Sequence, residues 1–218
     1  MGKQKSDEKL MKRRQIVDAL ESEIASGKIK PGHRLVEGSL CERLGVKRDT
    51  VRQVLRDLDQ AGFVKIVRNV GATVTVLSQK DIEQTYDLLC VLEGLAARVI
   101  TPFVTPKQLK ELEGLLTKME STDIPSQFID LNLEFHTLIL SWSENERLIK
   151  FTDILRRNQK RFGTQSFLSP GQIEASRVDH RKVFEAMKQR KPIEAERSMR
   201  NHLLRAKTRL IKYMNKSL

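Results

Sequence analysis

The apolar positions keep helical spacing for most of the chain and change period once. Ile16, Leu20 and Ile24, with Val17 beside them, recur every four residues and predict a helix that Gly27 closes before the Pro31-Gly32 turn. The polar run before it, residues 1–9, is expected to be frayed. Leu40 and Leu44 mark a short helix over Glu37 to Leu44, ended by Gly45. Val51, Val54, Leu55, Leu58 and Ala61 mark another, stopped by Gly62. The period then becomes that of strands: Phe63, Val64, Ile66 and Val67, a turn containing Asn69 and Gly71, then Val74 and Val76 among threonines. This predicts a hairpin. From Ser78 the spacing is helical again. Ser78 is placed to cap a helix to about Ile100, with Tyr86, Leu89, Leu92, Leu95, Ala96 and Val99 inward. Further helices are predicted over roughly Pro106 to Glu120, Ile124 to Ser141, Glu144 to Phe162, Ser169 to Arg190 and Pro192 to Lys216.

The predicted fold is therefore mainly α. An N-terminal winged helix-turn-helix domain over residues 1–78 precedes an antiparallel all-α bundle of about six helices over residues 79–218. The polar positions of the third helix give the first domain a chemistry. Arg48 and Arg52 are four apart and share a face turned from the core, with Gln53 and Arg56 beside them. Guanidinium groups near the N-terminus of a helix that follows a tight turn suit the DNA major groove, where Arg bonds guanine O6 and N7 or clamps phosphate. Spacing alone also fits a solvated basic face; the helix-turn-helix and wing around it favour DNA. Arg68 falls near the hairpin tip, and Gly71 permits close approach to the backbone of a duplex.

Charge sharpens this only partly. The 218 residues carry a formal net charge of +12, which suits an anionic polymer. Residues 1–78 hold 16 Lys/Arg against 10 Asp/Glu and the other 140 hold 24 against 18, so basic charge is denser at the N-terminal end without being confined there. Cys41 and Cys90 are too few for a disulfide framework and read as core thiols. No stretch approaches the roughly 18 apolar residues of a membrane span, and the basic N-terminus lacks the apolar segment of a signal peptide. The expectation is a cytoplasmic protein with no membrane partner.

The segments Gly27-Lys-Ile-Lys-Pro-Gly-His-Arg-Leu35, Leu44-Gly-Val-Lys-Arg-Asp-Thr-Val-Arg52, Gly62-Phe-Val and Gly71-Ala-Thr-Val together resemble the DNA-binding domain of GntR-family transcriptional regulators. The resemblance covers about the first 78 residues. It implies that Arg34, Arg48 and Arg52, with the wing at Gly71, contact DNA. Two positions depart from the family pattern. Lys47 stands where Ser is usual, removing a side-chain N-cap that Asp49 offsets through the helix dipole, and Gln53 stands where Glu is usual. Both imply altered operator preference or affinity rather than loss of binding.

Three of the four histidines, His136, His180 and His202, fall inside three different predicted bundle helices, and Asn132 precedes His136 by one turn on the same face. Each histidine taken singly fits an ordinary core residue satisfied by a neighbour. The segments Asn132-Leu-Glu-Phe-His136, Asp179-His180-Arg181 and Asn201-His202-Leu203, with Ser143-Glu-Asn145, also resemble the FCD ligand-sensing domain of the FadR subgroup of that family. That resemblance implies a divalent metal ion, Zn²⁺ or Ni²⁺, held by the three histidines. The position matching Asn132 is commonly Asp in the subgroup; an amide there is a weak ligand or an outer one. The subgroup also typically has Arg where Leu89 stands, four residues before Glu93, so this protein must use another cation or a different effector. An ion held by neutral groups keeps nearly its full charge and favours an anion.

The expected function is a DNA-binding transcriptional regulator, a repressor, whose operator affinity is set by a small anionic metabolite, a carboxylate, at or near the metal. A homodimer is implied by the resemblance and by the two-fold symmetry of operators. The alternatives are a metalloregulator sensing the ion itself and a metal-dependent hydrolase. The hydrolase is disfavoured because Glu134 points away from the face of His136 and no paired acid and base has fixed spacing.

Overall fold

The computed structural model describes residues 2–67, 71–76, 78–160, 162 and 171–216. They fall into two compact units, residues 1–78 with 157–163 and residues 79–156 with 164–218. In the first unit α1 (Gly2–Ala25), α2 (Glu37–Leu44) and α3 (Arg48–Gln60) pack with a small antiparallel sheet. The N-terminal run expected to be frayed is helical from Gly2: lysine, glutamine and glutamate favour helix, and no Gly or Pro interrupts residues 3–25. The predicted hairpin is β2 (Val64–Val67) and β3 (Gly71–Val74). A strand too short to leave a periodic signature, β1 (Arg34–Leu35), adds to its far edge in register Arg34↔Thr73 and Leu35↔Ala72. Leu20, Val51, Val54, Leu58, Phe63 and Val74 meet in one core, which fixes the rotation of α3 and leaves its Arg-bearing face outward.

The second unit contains α4 (Gln79–Ile100), α5 (Pro106–Ser121), α6 (Pro125–Trp142), α7 (Glu146–Lys160) as far as Arg156, α8 (Gln172–Lys188) and α9 (Pro192–Lys216). Thr105 caps α5 by a reciprocal capping box with Gln108, and Pro106 takes the first helical position. Helix α4 lies against α9, and α8 pairs with α9. Two of the positions expected inward on α4 turn out: Leu95 is 37% and Val99 39% exposed, because the buried stripe runs instead through Ile82, Tyr86, Leu89, Cys90, Glu93 and Ala97. Burial pushes the Cys90 thiol up to about 11, which keeps it protonated and inert.

Gly94 sets the approach of α4 to α9. A Cβ there would come 2.7 Å from Cγ of Arg200, 3.2 Å from its Cδ and 3.3 Å from Cγ of Glu196. Gly94→Ala gains about 1 kcal/mol of helix propensity. It must also push the helices apart, and overpacking costs about 1–3 kcal/mol. The expected net result is a lower midpoint of denaturant unfolding; an unchanged or raised midpoint would show that Arg200 moves aside at no cost.

Candidate metal centre and DNA-binding face

In the first unit the described DNA-facing candidates fall at the start of α3 and on the paired strands β1 and β3. Arg48 opens α3, and Lys47 before it is the N-cap without a side-chain cap bond, as the missing Ser predicted. Arg48, Arg52, Gln53 and Lys47 are all exposed. Arg48 has no ion-pair or hydrogen-bond partner among the described residues. Arg52 is already engaged: its Nε donates to both carboxylate oxygens of Glu37 on α2, at 3.1 and 3.2 Å. That pair is solvent-exposed and worth little stability, so a phosphate or base edge can replace it. Glu37 was not among the sequence-based candidates, though its place at the start of α2 marks it as a neighbour of α3. Arg34 extends over Gly71, whose backbone sits at φ +99, a conformation that favours glycine. Strand pairing of β1 with β3 thus joins the two candidates Arg34 and Gly71. Arg68 lies outside the described residues.

In the second unit His136 on α6, His180 on α8 and His202 on α9 converge, each at most 3% exposed. Nε2 of His180 is 3.3 Å from Nε2 of His136 and 3.2 Å from Nε2 of His202. Phe135 packs on the His180 ring with centroids 4.4 Å apart. Burial drives the pKa of His136 and His180 well below the ordinary histidine value. It also lowers that of His202, although Asp179 and Glu93 pull the other way. All three rings are neutral at pH 7.

Two carboxylates stand behind the rings. Oε2 of Glu93 on α4 is 2.6 Å from Nδ1 of His136, and Arg156 on α7 pairs with the same carboxylate. Burial raises the Glu93 pKa while Arg156 opposes the rise. Oδ2 of Asp179 is 3.8 Å from Nδ1 of His202, too long for a hydrogen bond but close enough to act through charge. Arg205 grips Asp179 through two bonds of 2.8 and 2.6 Å. Burial pushes Asp179 up, but His202 and Arg205 outweigh it and hold its pKa at about 2. Glu93 and Asp179 stand on the Nδ1 side of His136 and His202, where their charge favours the Nδ1 proton and leaves the Nε2 lone pairs of those two rings facing Nε2 of His180, whose own Nδ1 has no hydrogen-bond partner among the described residues. Lone pairs facing at 3.2–3.3 Å repel unless a proton or cation lies between them. A zinc-sized ion with bonds of about 2.0–2.1 Å holds tetrahedral neighbours about 3.3–3.4 Å apart, so the donor set fits such an ion.

Asn132 is buried one turn before His136 on the same face of α6. Leu89 is fully buried, and the cation near Glu93 is Arg156 from another helix. Sequence reasoning missed Arg156, Arg205 and the supporting roles of Glu93 and Asp179. The available signal was a charge on an apolar stripe: Glu93 follows Tyr86 and Leu89 at helical spacing, and a carboxylate there needs a partner.

Residues 12–74 match the family described as bacterial regulatory proteins, gntR family, and residues 84–205 match the FCD domain. The chain is 26% identical over 192 residues to the uncharacterized HTH-type transcriptional regulator YdhC of Bacillus subtilis strain 168, covering 86% of each chain. It is 25% identical over 223 residues to the Glc operon transcriptional activator of Escherichia coli K12, covering 89% of this chain and 87% of that one. The solved structure of E. coli McbR/YncC shares the fold, with a TM-score of 0.76 at 21% identity, over 92% of this chain and 97% of that chain. The chain belongs to the GntR family of bacterial regulatory proteins, and is a transcriptional regulator, not an enzyme, that joins a winged helix-turn-helix to an FCD effector-binding domain.

Proposed function

We propose that this regulator is a homodimeric repressor whose residues 1–78 read an operator and whose residues 79–218 dimerise and sense a small carboxylate beside a divalent metal ion. The observation that carries the reading is the convergence of three buried, neutral imidazoles, with Nε2 of His180 3.2–3.3 Å from Nε2 of each of the other two. His136, His180 and His202 would hold the ion, Glu93 and Asp179 would orient two of the rings, and Zn²⁺ or Ni²⁺ suits the nitrogen donors. When bound, the ion supplies a positive anchor for an anionic group. The cytoplasm follows from a role on operator DNA, and no helix of the described residues is long and apolar enough to cross a membrane.

The dimer reading is supported by α4. Leu88, Val91, Leu95 and Val99, each 37–54% exposed, form a stripe along the helix. Its spacing is nearly palindromic, so a second copy packed antiparallel about a two-fold axis sets Leu88 against Val99 and Val91 against Leu95. Such a dimer presents two recognition helices to the two halves of an operator.

Native mass spectrometry of freshly purified protein reads subunit number, bound metal and retained small molecule together. Two chains, one metal ion per chain and a carboxylate-sized adduct are expected; a metal-free monomer defeats the reading. In vitro transcription assigns the direction of control. Lower transcript on adding the protein marks a repressor, and higher transcript gives it the role that the Glc relative's name states. Operator release on titrating metal alone would make it a metalloregulator.

Asn132 carries a separate expectation. Asn132→Asp adds a charge beside the three imidazoles, so metal should survive a chelator longer while a carboxylate binds the metal-loaded protein more weakly. Faster metal loss from the Asp variant would remove Asn132 from the neighbourhood of the ion.

A further inference from the structure

The inner face of α8 carries Gln172, Ser176 and His180 at four-residue spacing, each at most 2% exposed. Nε2 of Gln172 donates to Oγ of Ser176 at 3.3 Å. The Gln172 carbonyl oxygen accepts from Nε of Arg209 on α9. Because α8 and α9 run antiparallel, the contact between His180 and His202 and the contact between Gln172 and Arg209 are two levels of one seam. They are eight residues apart on α8 and seven on α9, about 10–12 Å at the helical rise. A buried polar line therefore leads from the histidine cluster to Arg209.

Arg209 is oriented against habit. Arginine ordinarily lays its stem on apolar surface and extends its charged end to water. Here the residue is half-buried, yet Nη2 is fully enclosed and has no hydrogen-bond partner among the described residues. The nearby carboxylate of Asp179 already holds two bonds from Arg205. A charged nitrogen buried without an acceptor is costly, and the group that would satisfy it is an anion.

We propose that Arg209 and Gln172 form a second anion-binding subsite, and that the effector is an elongated dicarboxylate with one end at the histidine cluster and the other on the Arg209 guanidinium. This deepens the carboxylate reading above and rests on it. The cation that Leu89 lacks is supplied by the last helix, at a distance that discriminates by effector length.

The test is calorimetry on metal-loaded, full-length protein with succinate, adipate and suberate, and with hexanoate as the monocarboxylate. The best dicarboxylate should bind wild type more tightly than hexanoate, on the order of tenfold for one charge-assisted pair. Arg209→Gln should erase that preference while leaving metal content and hexanoate affinity as in wild type; Arg209→Lys should keep part of it. Gln172→Glu places a carboxylate of the protein on Arg209 and should raise the thermal midpoint while abolishing the preference. A preference that survives in Arg209→Gln, or no preference in wild type, overturns the subsite alone. If neither class of acid binds metal-loaded wild type, the carboxylate reading falls and takes the subsite with it.

Discussion

Replacing any one of His136, His180 or His202 with alanine is expected to strip the protein of its metal, and a second replacement to remove little more. Nε2 of His180 is 3.2–3.3 Å from Nε2 of each of the other two and the donor atoms of all three lie within 4.8 Å of one another, so they serve one site, and deletions within one site are not additive. Even the loss of an outer partner of a metal-bound histidine typically costs 10–100-fold in affinity. Loss of a ligand should therefore exceed that, and Glu93→Gln, which alters the group behind His136, should fall within it. Metal analysis after gel filtration, with the thermal midpoint measured beside it, separates loss of ligation from loss of fold. Stoichiometric metal in the His180→Ala/His202→Ala protein would show that the cluster is an ordinary core feature.

Arg48→Ala is expected to abolish specific operator recognition while leaving the fold and the effector domain unchanged. Its side chain is exposed and bonds to no described residue, so removal opens no cavity and leaves no buried charge. A bidentate base contact is worth about 1–3 kcal/mol per protomer. Arg52→Ala should weaken the same recognition less, because wild-type Arg52 must first give up or share its bonds to Glu37. Arg34→Ala should lower affinity for all sequences alike and reduce the salt slope by about one, as expected for a phosphate contact. Gel shifts at several salt concentrations with cognate and scrambled DNA read all three. Wild-type operator affinity in Arg48→Ala would mean that α3 does not enter the groove as described.

Much of the architecture was legible in the order of residues. Helical periods, the change of period at Phe63 and the stops at Gly27, Gly45 and Gly62 depend on local backbone preference and on one buried face per element. They therefore gave the winged helix-turn-helix and the six helices found among the described residues from Gln79 onward. The three bundle histidines were nameable because each sits on a helix of known phase. What needed tertiary structure was everything set by how helices rotate against one another. The α4 stripe turned far enough to expose Leu95 and Val99 and to bury Glu93, a rotation governed by Gly94 against Arg200 on a helix a hundred residues away. Contacts of Arg156 with Glu93 and of Arg209 with Gln172 join residues 63 and 37 positions apart, and no periodicity encodes such pairs. The same holds for β1, two residues long, which exists only because β3 offers it an edge. Local sequence thus determined the elements and the donor atoms. Side-chain packing between distant segments decided which charges stand behind the histidines and which guanidinium is left facing inward, because burial and charge pairing are properties of the assembled core.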